Sequence, residues 1–159
     1  MTDAPLTQHY TFTIERVYDA PRERVFRAWS NADEKAQWFA GPAGQWTPLI
    51  REMDFRRGGR ERAKGRWDGG DTSDFQATFH DIRENERIVY YYDMHVNDRR
   101  ISASLATVEF KADGDKTRMA FTEHAVYLDG WPTPEDREAG SQMLLENLGA
   151  YLQGEKAAV

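Results

Sequence analysis

At 159 residues and 18.4 kDa the chain is near the usual size of one domain and leaves little room for two independent cores. Its 21 Lys and Arg against 27 Asp and Glu give a formal charge of −6, which argues against nucleic acid as a partner, and a mean hydropathy of −0.80 argues against membrane insertion. The absence of cysteine excludes disulfides, thiolate nucleophiles and Cys-ligated metals, and it fits a reducing cytoplasm. Met1 to His9 carries Asp3 and no apolar run or basic lead, so it does not read as a signal or transit peptide, and the cytoplasm is the expected location. Against this polar background stand 5 Trp, 7 Tyr and 8 Phe, an aromatic share of 13%. Those rings need a place.

Tyr10, Phe12 and Ile14 alternate with Thr11 and Thr13, predicting a strand over Tyr10 to Tyr18 with one buried face. Pro21 suits the first position of a helix capped by Asp19 or Ala20 and striped by Val25, Ala28 and Trp29. A second short helix spans Asn31 to Trp38 and stops before Gly41-Pro42. Six alternating segments follow: Trp46 to Phe55, Gly59 to Trp67, Ser73 to Ile82, Arg87 to His95, Arg100 to Lys111 and Thr117 to Ala125. The breaks between them, such as Asp68-Gly69-Gly70 and Asn97-Asp98, are short and carry turn residues, so neighbouring strands form hairpins and the whole a meander. The last element is a helix with Thr133 as cap, Pro134 in first position, Glu135 and Asp136 in the first turn, and a stripe of Leu144, Leu145, Leu148, Tyr151 and Leu152. Gly154 to Val159 reads as a frayed end, and nothing marks a second domain, so one domain with an ordered core over about residues 8–153 is expected.

This order predicts an α+β fold: a curved antiparallel sheet of about seven strands wrapped around a long C-terminal helix, with two short helices after the first strand. A sheet bent enough to grip one helix can leave a cavity instead of a filled core. Period-two geometry turns Ile88, Tyr90, Tyr92 and Met94 inward, with Ser102, Ala106, Val108 and Phe110 on the next strand, Met119 and Phe121 on the last, and Phe75 and Phe79 on an earlier one. Ordinary core packing is the alternative for each.

The same parity places Glu61 inward between Gly59 and Ala63, and Glu123 in line with Met119 and Phe121. Buried without a cation, two such carboxyls would be raised in pKa and one could donate a proton; solvated at the rim or paired with arginine, they would be structural. His95 and His124 end strands near the expected mouth and complete the set of catalytic candidates. No His-x-His or His-Glu-x-x-His spacing occurs, so neither a metal nor another cofactor is expected. Tyr90 and Tyr92 could hydrogen-bond a ligand carbonyl while stacking on it. Ser102 and Ser104 lack the context of a serine nucleophile. Arg60, Arg62, Lys64 and Arg66 fall on one face of one strand, either a dock for an acidic partner or a solvated outer surface.

Asp19-Ala20-Pro21 with Val25 to Trp29, then Trp38 to Pro42, then Met53 to Arg60, Ala77 to Ile82, Ala106 to Phe110, Thr117 to Met119 and Leu145 to Leu152 together resemble the START-like (SRPBCC, helix-grip) superfamily. More narrowly they resemble its branch named after the activator of the heat-shock-protein-90 ATPase. The resemblance implies a helix-grip fold with a hydrophobic cavity between sheet and long helix, used in the superfamily to hold lipids, polyketides and other small apolar molecules, and in some members for cyclase or dehydratase chemistry. The chain departs from the branch where Gly140-Ser141 replaces Gly-Trp in the last helix, and where Glu61, Ala63 and Gly65 stand at positions usually aromatic. The expected cavity wall comprises Trp38, Phe39, Glu61, Ala63, Phe75 and Phe79, then Tyr90, Tyr92, Met94, Ser102, Ser104 and Ala106, and finally Met119, Phe121, Glu123, Leu144, Leu145 and Leu148. Three functions follow: a binder of a small, largely apolar ligand; a cofactor-independent cyclase, dehydratase or hydrolase using the paired glutamates; or a chaperone-cofactor-like domain docking through the basic strand. Exposed strand edges leave a homodimer open.

Overall fold

The computed structural model describes residues 6–131 and 134–157. Strand β1 (Thr7–Tyr18) is followed by helices α1 (Arg22–Ser30) and α2 (Ala32–Trp38), strands β2 (Trp46–Met53), β3 (Arg60–Trp67), β4 (Thr72–Arg83), β5 (Arg87–Val96), β6 (Arg99–Asp113) and β7 (Lys116–Leu128), and helix α3 (Pro134–Ala157). One seven-stranded antiparallel sheet has the order β1-β7-β6-β5-β4-β3-β2. The two short helices carry the chain from the β1 edge to the β2 edge, and the meander then returns strand by strand until β7 lies against β1. This is the expected α+β arrangement.

Hairpin chemistry explains the returns. Asn97 and Asp98 both adopt positive φ, 50° and 65°, as a two-residue turn between right-twisting strands requires. Register shifts at Pro48/Ile50, Phe79/Asp81 and Met94/His95 add local bend and twist of the kind that lets a sheet curve.

Two helix ends differ from the sequence expectation. Pro21 is itself the cap of α1, in extended geometry with φ −67°, one residue earlier than its expected place inside the helix. Helix α3 continues through Gly154 to Ala157, where fraying was expected. The expected cap Thr133 lies outside the described residues. Asn31 caps α2, its side chain accepting the Glu34 amide at 3.0 Å.

The core fills the space between sheet, α1, α2 and α3. Leu145, Leu148 and Leu152 form the buried stripe of α3, and Val25, Phe26, Ala28 and Trp29 that of α1. Trp29 packs edge-on to Trp38 with centroids 4.8 Å apart, an arrangement favoured by the ring quadrupoles. The Trp38 indole donates to the Ala28 carbonyl at 2.9 Å, and the Tyr18 hydroxyl donates to the Leu145 carbonyl at 2.8 Å, tying β1 to α3.

Gly65 on β3 explains one departure from the branch pattern. A Cβ there would sit 1.9 Å from Trp46 Cε2, so the indole of Trp46, delivered by β2, occupies the volume that an aromatic at position 65 would fill. The bulk has moved to the neighbouring strand. Gly65→Ala is therefore expected to displace Trp46 and cost about 1–3 kcal/mol; a urea midpoint equal to that of the parent would show the contact to be slack.

Candidate functional site

A cavity of about 390 Å³ lies between the sheet and α3. Its wall is drawn from α1, α2, β2 to β7 and α3, and it contains all five tryptophans, Trp29, Trp38, Trp46, Trp67 and Trp131. With Phe39, Phe75, Tyr90, Tyr92 and Phe121, half of the aromatic residues of the chain face this one space. Trp29 and Trp38 are buried, whereas Trp67 and Trp131 are 36% and 42% exposed and stand at the rim.

Of the expected wall, Trp38, Phe39, Ala63, Phe75, Tyr90, Tyr92, Met94, Phe121, Glu123, Leu144 and Leu145 line the cavity. Glu61, Phe79, Ser102, Ser104, Ala106, Met119 and Leu148 do not; they are buried behind it. Alternation names the inward face of a strand, but a second layer of rings, Phe39 and Tyr90 among them, screens part of that face from the space. His124 is also displaced from its expected role: it is exposed, with Nδ1 3.0 Å from Thr11 Oγ1 on the outer face. His95 is absent from the wall, although its neighbours Met94 and Val96 belong to it. Among the described residues no cluster of metal-ligating side chains occurs.

The two glutamates are buried, Glu61 at 1% and Glu123 at 0% exposure, but neither lacks a cation. Lys35 Nζ donates to Glu61 Oε1 at 2.7 Å and Arg51 to Oε2 at 2.7 Å. Arg137 donates to Glu123 Oε2 at 3.3 Å. The cation-free carboxyl that would serve as a proton donor is therefore replaced by two separate ion-paired carboxylates, because each inward glutamate meets a basic side chain from an element packed against its strand.

Lys35 is the extreme case. It is fully buried, with Nζ 4.6 Å from the Phe39 centroid, 5.0 Å from Trp29 and 5.6 Å from Tyr90, so ring faces and one carboxylate replace its hydration. Burial pulls its pKa below the usual lysine value, against the opposing pull of Glu61. The other cluster is open to the cavity. Arg137 and Tyr92 both line it; the Tyr92 hydroxyl donates to Glu123 Oε1 at 2.7 Å, and Arg137 donates to the Tyr92 hydroxyl at 3.0 Å and to Ser102 Oγ at 2.7 Å. Burial raises the Tyr92 pKa, so the phenol remains protonated.

Neither Lys35 nor Arg137 was among the candidates, yet each leaves a trace in the sequence. Lys35 stands three residues before the buried Trp38, and Arg137 four before Ser141 and eight before Leu145, so both fall on the apolar stripe of their helix. A cation on a stripe signals an inward carboxylate elsewhere. On the basic strand, Arg62 forms a bidentate pair with Asp74 at 3.1 and 2.8 Å, and Lys64 lies 3.8 Å from Asp98. Half of that row is thus matched by acid.

Residues 19–153 match the family described as activator of Hsp90 ATPase homolog 1-like protein. An uncharacterized protein from Rhizobium leguminosarum is 44% identical over 92% of this chain and 96% of its own, with a TM-score of 0.88. A Rhizobium loti protein is 37% identical over 91% and 98%, with a TM-score of 0.84. A Chromobacterium violaceum protein, 23% identical over 88% and 94% with a TM-score of 0.73, shares the fold. None of the curated proteins matches this chain.

Two outcomes follow from the buried charges. Glu61→Gln leaves two cations facing each other and is expected to cost about 3–5 kcal/mol, more than Lys35→Met, which leaves Glu61 paired with Arg51; denaturant midpoints in the reverse order would contradict this arrangement. The Tyr127 hydroxyl is buried, has no hydrogen-bond partner among the described residues, and is pushed by burial up to about 12. A tyrosine raised above its unfolded value near 10 contributes stability that is complete below pH 10 and is lost as pH climbs from 10 through 12. Tyr127→Phe should therefore melt no lower than the parent at pH 7 and lose less between pH 10 and 12, measured by circular dichroism.

Proposed function

The chain belongs to the activator of Hsp90 ATPase homolog 1-like family of START-like proteins, and from that membership we propose that it acts in the cytoplasm by enclosing a small, largely apolar ligand, lipid-, aromatic- or polyketide-like, in the aromatic-walled cavity between sheet and α3. The observation that carries this reading is the gathering of all five tryptophans around one space of about 390 Å³, a volume within the range of small-molecule sites. Rings spent on ordinary packing would not leave such a space open. Tyr92, Glu123 and Arg137 give the apolar wall one polar end, which orients what is bound. The absence of cysteine fits a reducing compartment, and no helix among the described residues is long and apolar enough to cross a membrane.

Binding is favoured over acid–base turnover by the ion pairs on both glutamates and by the position of Glu61 behind the wall. The acidic partners on half of the basic row weigh against a protein dock through that strand.

Gly140 provides a clean test. It lines the cavity, and a Cβ there would meet nothing within 4 Å. Gly140→Ala is expected to stabilise α3 by roughly 0.5–1 kcal/mol. Gly140→Trp should keep the parent melting temperature but weaken binding of a neutral apolar probe, N-phenyl-1-naphthylamine, by tenfold or more in a fluorescence titration. Absence of saturable binding by the parent protein, or binding unchanged in Gly140→Trp, would overturn the proposal. Native mass spectrometry of protein from its own host then identifies the retained molecule.

A further inference from the structure

Resting on the cavity-binding reading above, we propose that the ligand is electrically neutral and carries a carbonyl oxygen that accepts hydrogen bonds from Arg137, while anionic and cationic ligands of the same shape are rejected. The basis is the composition of the polar end. Arg137 and Glu123 already neutralise each other there at 3.3 Å, and both belong to the wall. A ligand carboxylate entering this end would compete with Glu123 for one guanidinium, and water is largely excluded from the pair, since the Arg137 and Glu123 side chains are only 10% and 1% exposed. A ligand ammonium would have to take Glu123 from Arg137 and leave the guanidinium buried without its carboxylate. Both insertions separate or overload a desolvated ion pair, which is costly.

A neutral acceptor meets no such penalty, and the hydrogen-bond roles favour it over a donor. The Tyr92 proton is committed to Glu123. Ser102 Oγ already accepts from Arg137 at 2.7 Å, so its own hydroxyl proton is directed elsewhere. The guanidinium has five N–H bonds; Nη1 serves Tyr92 at 3.0 Å with Glu123 and Ser104 at 3.3 Å, and Nη2 serves Ser102 at 2.7 Å with one of its two N–H bonds, so the donors to offer are Nε and the second N–H of Nη2. A carbonyl oxygen can accept from these without drawing Nη1 away from Glu123, while Phe75 and Tyr92, packed against each other with centroids 4.6 Å apart, form the wall beside the body that carries it.

Four probes sharing one ring system test this: naphthalene, 2-acetylnaphthalene, 2-naphthoate and 2-naphthylmethylammonium, titrated against the tryptophan fluorescence of the wall. The ketone is expected to bind about tenfold or more tightly than naphthalene, as a hydrogen bond from a charged donor implies, and both ions more weakly than naphthalene. Arg137→Met with Glu123→Gln, which removes the pair together, should bring the ketone to the affinity of naphthalene. Infrared spectroscopy of the ketone bound to the parent protein should show its carbonyl stretch shifted to lower frequency, a readout that stands even if the double variant fails to fold. Equal binding of ketone and naphthalene, tightest binding by the naphthoate, or an unshifted carbonyl would each overturn the neutral-acceptor proposal while leaving the cavity reading intact. Failure of every probe to bind would overturn both.

Discussion

The contact between Lys35, Glu61 and Arg51 joins a helix and two strands of the sheet at one buried point. Lys35 comes from α2, Glu61 from β3 and Arg51 from β2, so the two 2.7 Å ion pairs fasten the crossing helices to the far edge of the sheet. An ammonium removed wholly from water is tolerated only where its carboxylate and the faces of Phe39, Trp29 and Tyr90 substitute for hydration. The requirement acts in both directions. Those three rings cannot rotate away without stripping Lys35 of its surroundings, and all three are part of the cavity wall. The shape of the apolar space is thus set by a charge that does not border it.

The two buried clusters use the same residue types for different ends. At Glu61 both carboxylate oxygens are taken by short bonds, and the group is sealed behind aromatic rings. At Glu123 the cation makes one longer contact, and a tyrosine and a serine share the same carboxylate. The first is saturated and rigid. The second lies on the cavity wall, so its polarity borders the apolar space. Without the aromatic wall around it this end would be merely solvated; without this end the cavity would lose its buried ion pair.

Much of the architecture was legible because it depends on local pattern. Alternation in Ile88, Tyr90 and Tyr92 and turn residues such as Asn97-Asp98 fix strands and hairpins from neighbouring positions alone. The site was less legible, since its geometry depends on what faces each strand from elsewhere. Parity turned Glu61 inward correctly, but only the packing of α2 supplies Lys35 and places Phe39 in front of it. Similarly, Gly65 reads as empty space until β2 is known to lay Trp46 across it. Trp67 has the parity of Glu61 and Ala63 at the end of β3, whereas Trp131 lies beyond β7 and outside any alternation, yet both complete the rim. Arg137 is readable from the sequence: its phase with Ser141 and Leu145 places it on the buried stripe of α3, just after the acidic first turn.

The register of β1 against β7, running from Thr7 opposite Leu128 to Tyr18 opposite Thr117, governs the order in which the molecule can assemble. Every other strand pairs with its neighbour in sequence and can zip through short hairpins. Strand β1 has to wait for β7, holding Phe12 and Ile14 without the partners Glu123 and Phe121 until more than a hundred further residues have been made. Loop closure of that length is the slow, entropically costly step of the fold. The buried face of β1, with Phe12 and Ile14, is therefore the segment left longest without its native neighbours during synthesis.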